Sequence, residues 1–126
     1  MLVKYNKNQK KIAMGLMSFH KNKKLKEYEN LLKSIDWYEA HDNWKLYFWK
    51  PDDSDNVQGI IGGEQKMEKG EFVVYDLALN PSMRGEGCGF RMLDDLQQQY
   101  PDSQLVGTKI TKDFIEAWKS AKNQTH

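Results

Sequence analysis

Hydrophobic positions recur every three or four residues in four parts of the chain, and this spacing predicts four helices. They cover residues 12–19, residues 23–38, the segment from Phe90 to Tyr100, and a short segment that begins after Thr111. The second is the most regular, since it has hydrophobic residues at helical spacing throughout, namely Leu25, Tyr28, Leu31, Leu32, Ile35 and Tyr38. The last helix can be capped by Thr111, and the polar residues from Ser120 onward are expected to fray.

Five further segments have the composition of strands, namely residues 2–5, 44–49, 57–64, 72–79 and 104–106. Turn-forming residues 51–56 join the second and third strands, which predicts an antiparallel hairpin. Residues 72–79 are almost continuously apolar, as expected for a strand inside a sheet covered on both faces. The predicted order is therefore β-α-α-β-β-β-α-β-α. No repeat or linker divides it, so we expect one domain over residues 1–126.

Charge is unevenly distributed along the 126 residues, although the formal net charge is only +1. Residues 1–26 contain eight lysines and no acidic residue, whereas residues 27–126 contain 11 basic and 18 acidic residues. The basic region raises the hypothesis of nucleic-acid binding. Its lysines are scattered around the helical faces and accompany no nucleic-acid motif, so nucleic acid is the least favoured partner.

The composition also argues against several classes of protein. No apolar run is long enough to span a membrane, and the segment from Met1 to Tyr5 lacks the apolar stretch of a signal peptide. The single cysteine, Cys88, cannot form an intrachain disulfide, and the three histidines form no metal-binding motif. We expect a cytoplasmic protein that needs neither a membrane nor a metal.

A glycine-rich segment, Arg84-Gly85-Glu86-Gly87-Cys88-Gly89, lies between the apolar strand and the third helix. Glycines allow positive φ angles and let backbone N–H groups turn toward one point. The N-terminus of the following helix adds unpaired N–H groups and a positive dipole end, which favour a pyrophosphate. The two arginines of the chain, Arg84 and Arg91, flank this segment and offer planar donors suited to phosphate oxygens.

The spacing of these glycines limits the nucleotide that could bind. A Rossmann fingerprint requires glycine at the sixth position from Gly85, where Phe90 stands, and the Gly-Lys-Ser/Thr sequence of a P-loop is absent. The pyrophosphate of coenzyme A is the remaining candidate. The alternative is a glycine-rich connection that binds no ligand.

The strand, loop and helix around this segment resemble motif A of the GNAT superfamily of acetyl-CoA-dependent N-acetyltransferases. The pattern Arg/Gln-x-x-Gly-x-Gly/Ala is met by Arg84, Gly87 and Gly89. Residues 11–19 and 46–50 are also similar to small acetyltransferase-like proteins encoded in riboflavin operons. The resemblance covers about residues 1–118 and implies acetyl transfer to an amine, with a possible connection to riboflavin metabolism.

The resemblance implies an α+β fold in which a mixed, mostly antiparallel sheet lies between two helical layers, an α/β/α sandwich. Two strands that usually follow the last helix in this family are missing from the sequence, so the fold is expected to be truncated at its C-terminus. We therefore expect an open sheet edge near residues 104–106, or a homodimer formed at that edge.

The resemblance also implies how acetyl-CoA is held. Backbone N–H groups from Gly85 to Gly89 would bind the pyrophosphate. Backbone groups of Leu77 and Leu79 would pair with the pantetheine arm, and one of those N–H groups would polarise the thioester carbonyl. The full predicted set of contacts is Leu77, Ala78, Leu79, Arg84, Gly85, Glu86, Gly87, Cys88, Gly89 and Phe90. The amine would attack the thioester directly, so Cys88 is expected to be a small loop residue and not a nucleophile.

Direct transfer needs a base for the ammonium proton and an acid for the leaving thiolate. The base candidates are Asp76, which interrupts the apolar strand just before Leu77, and Glu64 on the preceding strand. The alternative is that Asp76 has a structural role, in which its carboxylate accepts hydrogen bonds at a strand bulge. Less favoured bases are Glu71, His20 and His41.

The acid is often a tyrosine of the last helix in this family, and Trp118 occupies the corresponding position. An indole N–H is not a useful acid, so the role is unfilled or met by water. This departure keeps a second hypothesis open, in which the chain is a non-catalytic domain that binds coenzyme A or regulates another protein.

Overall fold

The computed structural model describes residues 1–19, 27–85 and 87–123. Its elements in chain order are β1 (Leu2–Lys4), α1 (Lys10–Met17), α2 (Tyr28–Ala40), β2 (Trp44–Trp49), β3 (Gly59–Lys66), β4 (Glu71–Leu79), α3 (Cys88–Gln99), β5 (Gln104–Gly107) and α4 (Lys112–Asn123). This order is the one that the hydrophobic pattern predicts. Two residues named in the sequence analysis, His20 and Glu86, lie outside the described residues.

The five strands form one sheet in the order β1-β2-β3-β4-β5. The strands from β1 to β4 pair antiparallel, and β5 pairs parallel with β4. The predicted hairpin is β2–β3, in which Trp49 lies opposite Gly59. The mixed, mostly antiparallel sheet is therefore confirmed. β4 lies between two strands, as its apolar sequence predicts, and β5 forms an edge of the described sheet.

Helices cover both faces of the sheet and create two hydrophobic cores. Ile60 and Ile61 are adjacent and fully buried, yet they belong to opposite cores, because side chains alternate along a strand. On one face α1 and α2 pack on Leu46, Phe48, Ile60 and Ala78. On the other face α3 and α4 pack on Ile61, Phe72, Val74 and Leu105. The fold is thus the expected α/β/α sandwich.

The boundaries of α2 differ from the prediction of residues 23–38. Residues 23–26 lie outside the described residues, and Glu27 has extended angles (φ −67°, ψ 138°), so the helix begins at Tyr28. It continues to Ala40, where the backbone of His41 becomes extended.

The last helix extends further than its polar sequence predicts, because side chains of its final turn contact the layer beside it. The ammonium group of Lys122 lies 3.3 Å from a carboxylate oxygen of Asp94 and 4.6 Å from the ring centre of Trp118. Residues 120–123 are therefore helical. Within the described residues, no helix is both long and apolar enough to cross a membrane.

Candidate active site

A β-bulge interrupts the pairing of β3 and β4. Gly62 lies opposite Asp76, whereas Gly63 lies opposite Val74, so Tyr75 is an extra residue in β4. The backbones approach closely at this point, since a Cβ atom on Gly63 would lie 1.8 Å from a backbone carbonyl oxygen of β4. The bulge therefore requires glycine there, and it redirects the side chains of β4 that follow.

β4 and β5 separate directly beside the bulge, because their pairing ends at Val74 and Gly107. In the fork between them, the Thr111 hydroxyl donates a hydrogen bond to the Val74 carbonyl oxygen at 2.7 Å. The same hydroxyl oxygen accepts a bond from the Thr108 N–H at 3.0 Å. Only 4% of Thr111 is exposed, so it satisfies a buried backbone acceptor at the fork.

Replacing Thr111 with valine should destabilise the fold by about 1–3 kcal/mol, because the buried Val74 carbonyl loses its hydroxyl donor. Urea unfolding would show this as a lower midpoint with an unchanged slope. Thr111→Ser keeps the hydroxyl and should recover most of the loss. Equal destabilisation by both substitutions would mean that the methyl group, and not the hydrogen bond, stabilises the fork.

Past the fork, one edge of β4 carries backbone groups that face away from β3. The Asn80 N–H donates to the Gln58 carbonyl oxygen of the neighbouring chain segment at 2.8 Å. Because bonding directions alternate along an antiparallel pair, Ala78 faces β3 in the same way. The N–H and C=O groups of Leu77 and Leu79 therefore point toward the side from which β5 has separated.

A cleft of about 650 Å³ opens at this free edge, a volume typical of small-molecule sites. Its lining comprises Phe19, Leu77, Ala78, Leu79, Met83, Arg84, Gly85, Gly87, Cys88, Gly89, Phe90, Met92, Ile110, Thr111 and Phe114. The structure thus brings together nine of the ten predicted coenzyme A contacts, and the tenth is Glu86. Their role in binding stays a prediction.

The glycine loop places the N-terminus of α3 at the cleft. Gly85 and Gly87 have positive φ angles of 84° and 74°, which disfavour any other residue. Gly87 is the N-cap of α3 and has no side chain that could bond the first N–H groups, and the first turn contains no acidic residue. The positive dipole end of a 12-residue helix therefore faces the cleft without a competing carboxylate from that turn. Cys88 begins the helix and is 2% exposed, which fits a packing role.

Phe90, Ile110 and Phe114 form an apolar wall of the cleft. The centres of the Phe90 and Phe114 rings are 5.2 Å apart. Gly89 makes room for these rings, since a Cβ atom at that position would lie 2.6 Å from the Phe114 ring. Ile110 and Phe114 remain 52% and 38% exposed. The sequence did not predict Ile110 or Phe114 as cleft residues, because neither is near the glycine loop along the chain.

The two arginines have different positions. Arg84 lines the cleft, and its Nη2 donates a hydrogen bond to the carbonyl oxygen of Phe19 at 3.1 Å, which ties the loop to the end of α1. Arg91 instead lines a separate hollow that also contains Asp94 and Asp95. Arg84 therefore lies at the cleft, where its role toward an anion stays a prediction, whereas Arg91 does not line the cleft as the sequence led us to expect.

Asp76 lies at the bulge and faces α2. Its Oδ2 accepts a hydrogen bond of 2.5 Å from the Tyr38 hydroxyl, which confirms that this carboxylate is hydrogen-bonded at a strand bulge. Burial, and then the charge of Asp76, raise the pKa of Tyr38 well above its usual value, so the phenol remains a donor at neutral pH. Gly62 permits the contact, since a Cβ there would lie 2.8 Å from the Tyr38 oxygen.

Three other predicted bases lie within the described residues. Glu64 accepts a hydrogen bond from Asn43 Nδ2 at 3.1 Å and lies 3.8 Å from the Lys66 ammonium group. Glu71 begins β4 opposite Lys66, and His41 follows the end of α2. Among the described residues, no group of three His, Cys, Asp or Glu side chains is arranged to hold a metal ion.

Trp118 points into the core between α3 and α4 and not into the cleft. It is 3% exposed, and its indole N–H donates to the Asp94 carboxylate at 2.9 Å. α4 instead contributes Phe114 to the cleft, and no tyrosine of the described ranges lines it. α4 therefore meets the cleft through Phe114, which lies one turn before Trp118.

This α/β/α sandwich with a mixed five-stranded sheet is the fold of solved GNAT acetyltransferases. No family model matches the chain. An uncharacterized N-acetyltransferase in the lysA 3′ region of Bacillus methanolicus is 36% identical over 116 residues, which cover 92% of this chain and 92% of that protein. With that identity over nearly the whole length of both proteins, the chain belongs to the GNAT family of N-acetyltransferases.

Solved structures share the fold at low sequence identity. A GNAT family acetyltransferase from Staphylococcus aureus superposes with a TM-score of 0.63 at 17% identity, over 85% of this chain and 83% of that one. An aminoglycoside 6′-N-acetyltransferase in complex with coenzyme A also gives 0.63, at 12% identity, over 84% of this chain and 58% of that one. These two likenesses concern the architecture alone.

Proposed function

We propose that the protein transfers the acetyl group of acetyl-CoA to an amine acceptor. The observation that supports this most strongly is the cleft, because it combines a helix N-terminus, two positive-φ glycines and the unpaired edge of β4 in one opening. A ligand with an anionic end and an extended amide-containing arm matches these features. Acetyl-CoA has both.

Each part of the cleft then has a role toward acetyl-CoA. The N–H groups from Gly85 to Gly89 bind the pyrophosphate at the dipole end of α3. The backbone groups of Leu77 and Leu79 pair with the pantetheine amides, and one N–H polarises the thioester carbonyl. The apolar wall of Phe90, Ile110 and Phe114 packs against the methylene and methyl groups of the arm.

Asp76 is the base in this proposal, because it immediately precedes Leu77 and its carboxylate is held by Tyr38. It takes the proton from the ammonium group of the acceptor, directly or through one water. The freed nitrogen lone pair attacks the thioester carbon, the C–S bond breaks, and the thiolate of coenzyme A leaves. Since the described lining of the cleft contains no tyrosine, water takes up the second proton that the acylated nitrogen loses and delivers a proton to the thiolate.

Two narrower proposals accompany this one. The similarity of residues 11–19 and 46–50 to riboflavin-operon proteins makes amino-bearing intermediates of riboflavin synthesis one group of acceptors to test. The exposed edge of β5 makes a homodimer through this strand the quaternary structure to test. A non-catalytic coenzyme A-binding domain is the alternative function, which the absence of a tyrosine from the described cleft favours.

Acetyl-CoA at about 100 times its dissociation constant should stabilise the protein by about 2.7 kcal/mol and raise the melting temperature by several degrees. Mixing the complex with a panel of amines should then release free coenzyme A thiol. A melting shift without thiol release across the panel would favour the binding-only alternative. No shift with either acetyl-CoA or coenzyme A would contradict both functions.

A further inference from the structure

The bulge in β4 places two successive side chains on the same face of the sheet. Val74 packs in the core beside α3 and α4. In a regular strand Tyr75 would then face α2, and Asp76 would again face α3 and α4. Instead Tyr75 contacts Trp44, which packs against the α2 core, and Asp76 contacts Tyr38 of α2. A carboxylate and an aromatic ring therefore lie next to each other where β4 leaves β5.

Further rings continue from Tyr75 across the surface. The Trp44 ring centre lies 4.5 Å from that of Tyr75 and 5.7 Å from that of Trp37, and His41 stacks on Trp37 at 3.8 Å. We call Trp37, His41, Trp44 and Tyr75 the aromatic surface. Trp37 is 48% exposed and Tyr75 is 37% exposed, so a large part of these rings contributes nothing to the core. Connected, exposed aromatic side chains are typical of binding surfaces.

The charges beside these rings favour a cation. Asp76 adjoins Tyr75, and its Oδ2 accepts a hydrogen bond from the Tyr38 hydroxyl. Glu64 lies opposite Trp44 in the β2–β3 pair, and the Lys66 ammonium 3.8 Å away offsets part of its charge. Aromatic faces attract cations through their quadrupoles, and a nearby carboxylate adds to that attraction.

We infer that the aromatic surface binds a second cationic group of the acceptor, so the acceptor class is a diamine or a similarly basic amino compound. This inference rests on the proposed function, because Asp76 marks where the reacting amine would lie. The reacting nitrogen sits at Asp76, and the other ammonium group lies over the rings of Tyr75 and Trp44. A neutral or singly charged amine of the same length would lack the second contact.

The four tryptophans provide a direct test by proton NMR of their indole N–H signals. Titration with 1,4-diaminobutane should shift the signals of Trp37 and Trp44. Those of Trp49 and Trp118 should not move, because these side chains are buried and donate to Asp95 and Asp94. Butylamine has the same chain with one charge and should bind at least fivefold more weakly.

Tyr75→Ala and, independently, Trp37→Ala should remove most of this preference for the diamine. Tyr28→Ala is the matched control, since Tyr28 is a 69% exposed aromatic residue at the other end of α2. Equal affinity for both amines, or no shift of the Trp37 and Trp44 signals, would overturn the inference. These outcomes are independent of the acetyl-CoA melting shift, whose absence would contradict the proposed function instead.

Discussion

Replacing Gly87 with leucine is expected to abolish the stabilisation that acetyl-CoA gives to the wild-type protein. Gly87 has a φ angle of 74° and directly precedes the N–H groups that would bind the pyrophosphate. A leucine side chain would project beside that binding position, and the backbone would tend to leave the left-handed region. At about 100 times the wild-type dissociation constant, the expected loss is the whole stabilisation of about 2.7 kcal/mol.

Gly70→Leu provides the control for backbone strain. Gly70 also has a positive φ angle, of 62°, but it lies in the turn before β4, and a Cβ at either glycine has open space around it. Both variants should therefore melt at a lower temperature without ligand, by a similar amount. Only Gly87→Leu should lose the acetyl-CoA shift. If that variant keeps the shift, the loop does not hold the pyrophosphate and the assignment of the cleft is wrong.

The hydrophobic pattern was sufficient to predict the order of elements, because both sheet faces are buried and each helix has one clear apolar side. The glycine loop was also accessible from sequence, since its residues are consecutive and their chemistry is local. Ile110 and Phe114 could not be assigned to the cleft in this way. They reach it only because α4 packs beside α3, which depends on contacts between distant segments.

The contact between Tyr38 and Asp76 is a similar case, because it joins α2 to β4 across 38 positions. One local signal was available, namely the adjacent Gly62 and Gly63 inside a strand, since glycine within a strand often marks a bulge. The bulge in turn explains why Asp76 and Tyr75 face the same side. Sequence spacing alone, which assumes regular alternation, would place them on opposite faces.

Trp118 and Arg91 show a different limit of sequence reasoning. Both lie on the helices that the pattern predicts, but neither lines the cleft. Trp118 donates a hydrogen bond to Asp94 of α3, and Arg91 lines a separate hollow. Position along a helix is readable from sequence. Which side of the helix faces a site depends on tertiary packing.

Replacing Asp76 with asparagine is expected to lower kcat by about 10²–10⁴-fold, the usual contribution of a general base. Asparagine keeps the size of the side chain but cannot accept the ammonium proton. The measurement is coenzyme A thiol release with the best amine of the panel. Glu71→Gln is the matched control and should change kcat by only a few fold, because Glu71 begins β4 opposite Lys66, at the other end of the strand from its free edge. Both variants should keep the acetyl-CoA melting shift.

Tyr38→Phe separates a role in catalysis from a role in packing. The phenol donates to the Asp76 carboxylate, and a hydrogen bond to the charged form lowers the pKa of a carboxyl group. Removing the donor should therefore raise the pKa of Asp76 and move the acidic limb of the kcat/KM profile to higher pH. An unchanged limb, together with full activity of Asp76→Asn, would exclude Asp76 as the base. Loss of activity in Glu64→Gln instead would transfer that role to Glu64.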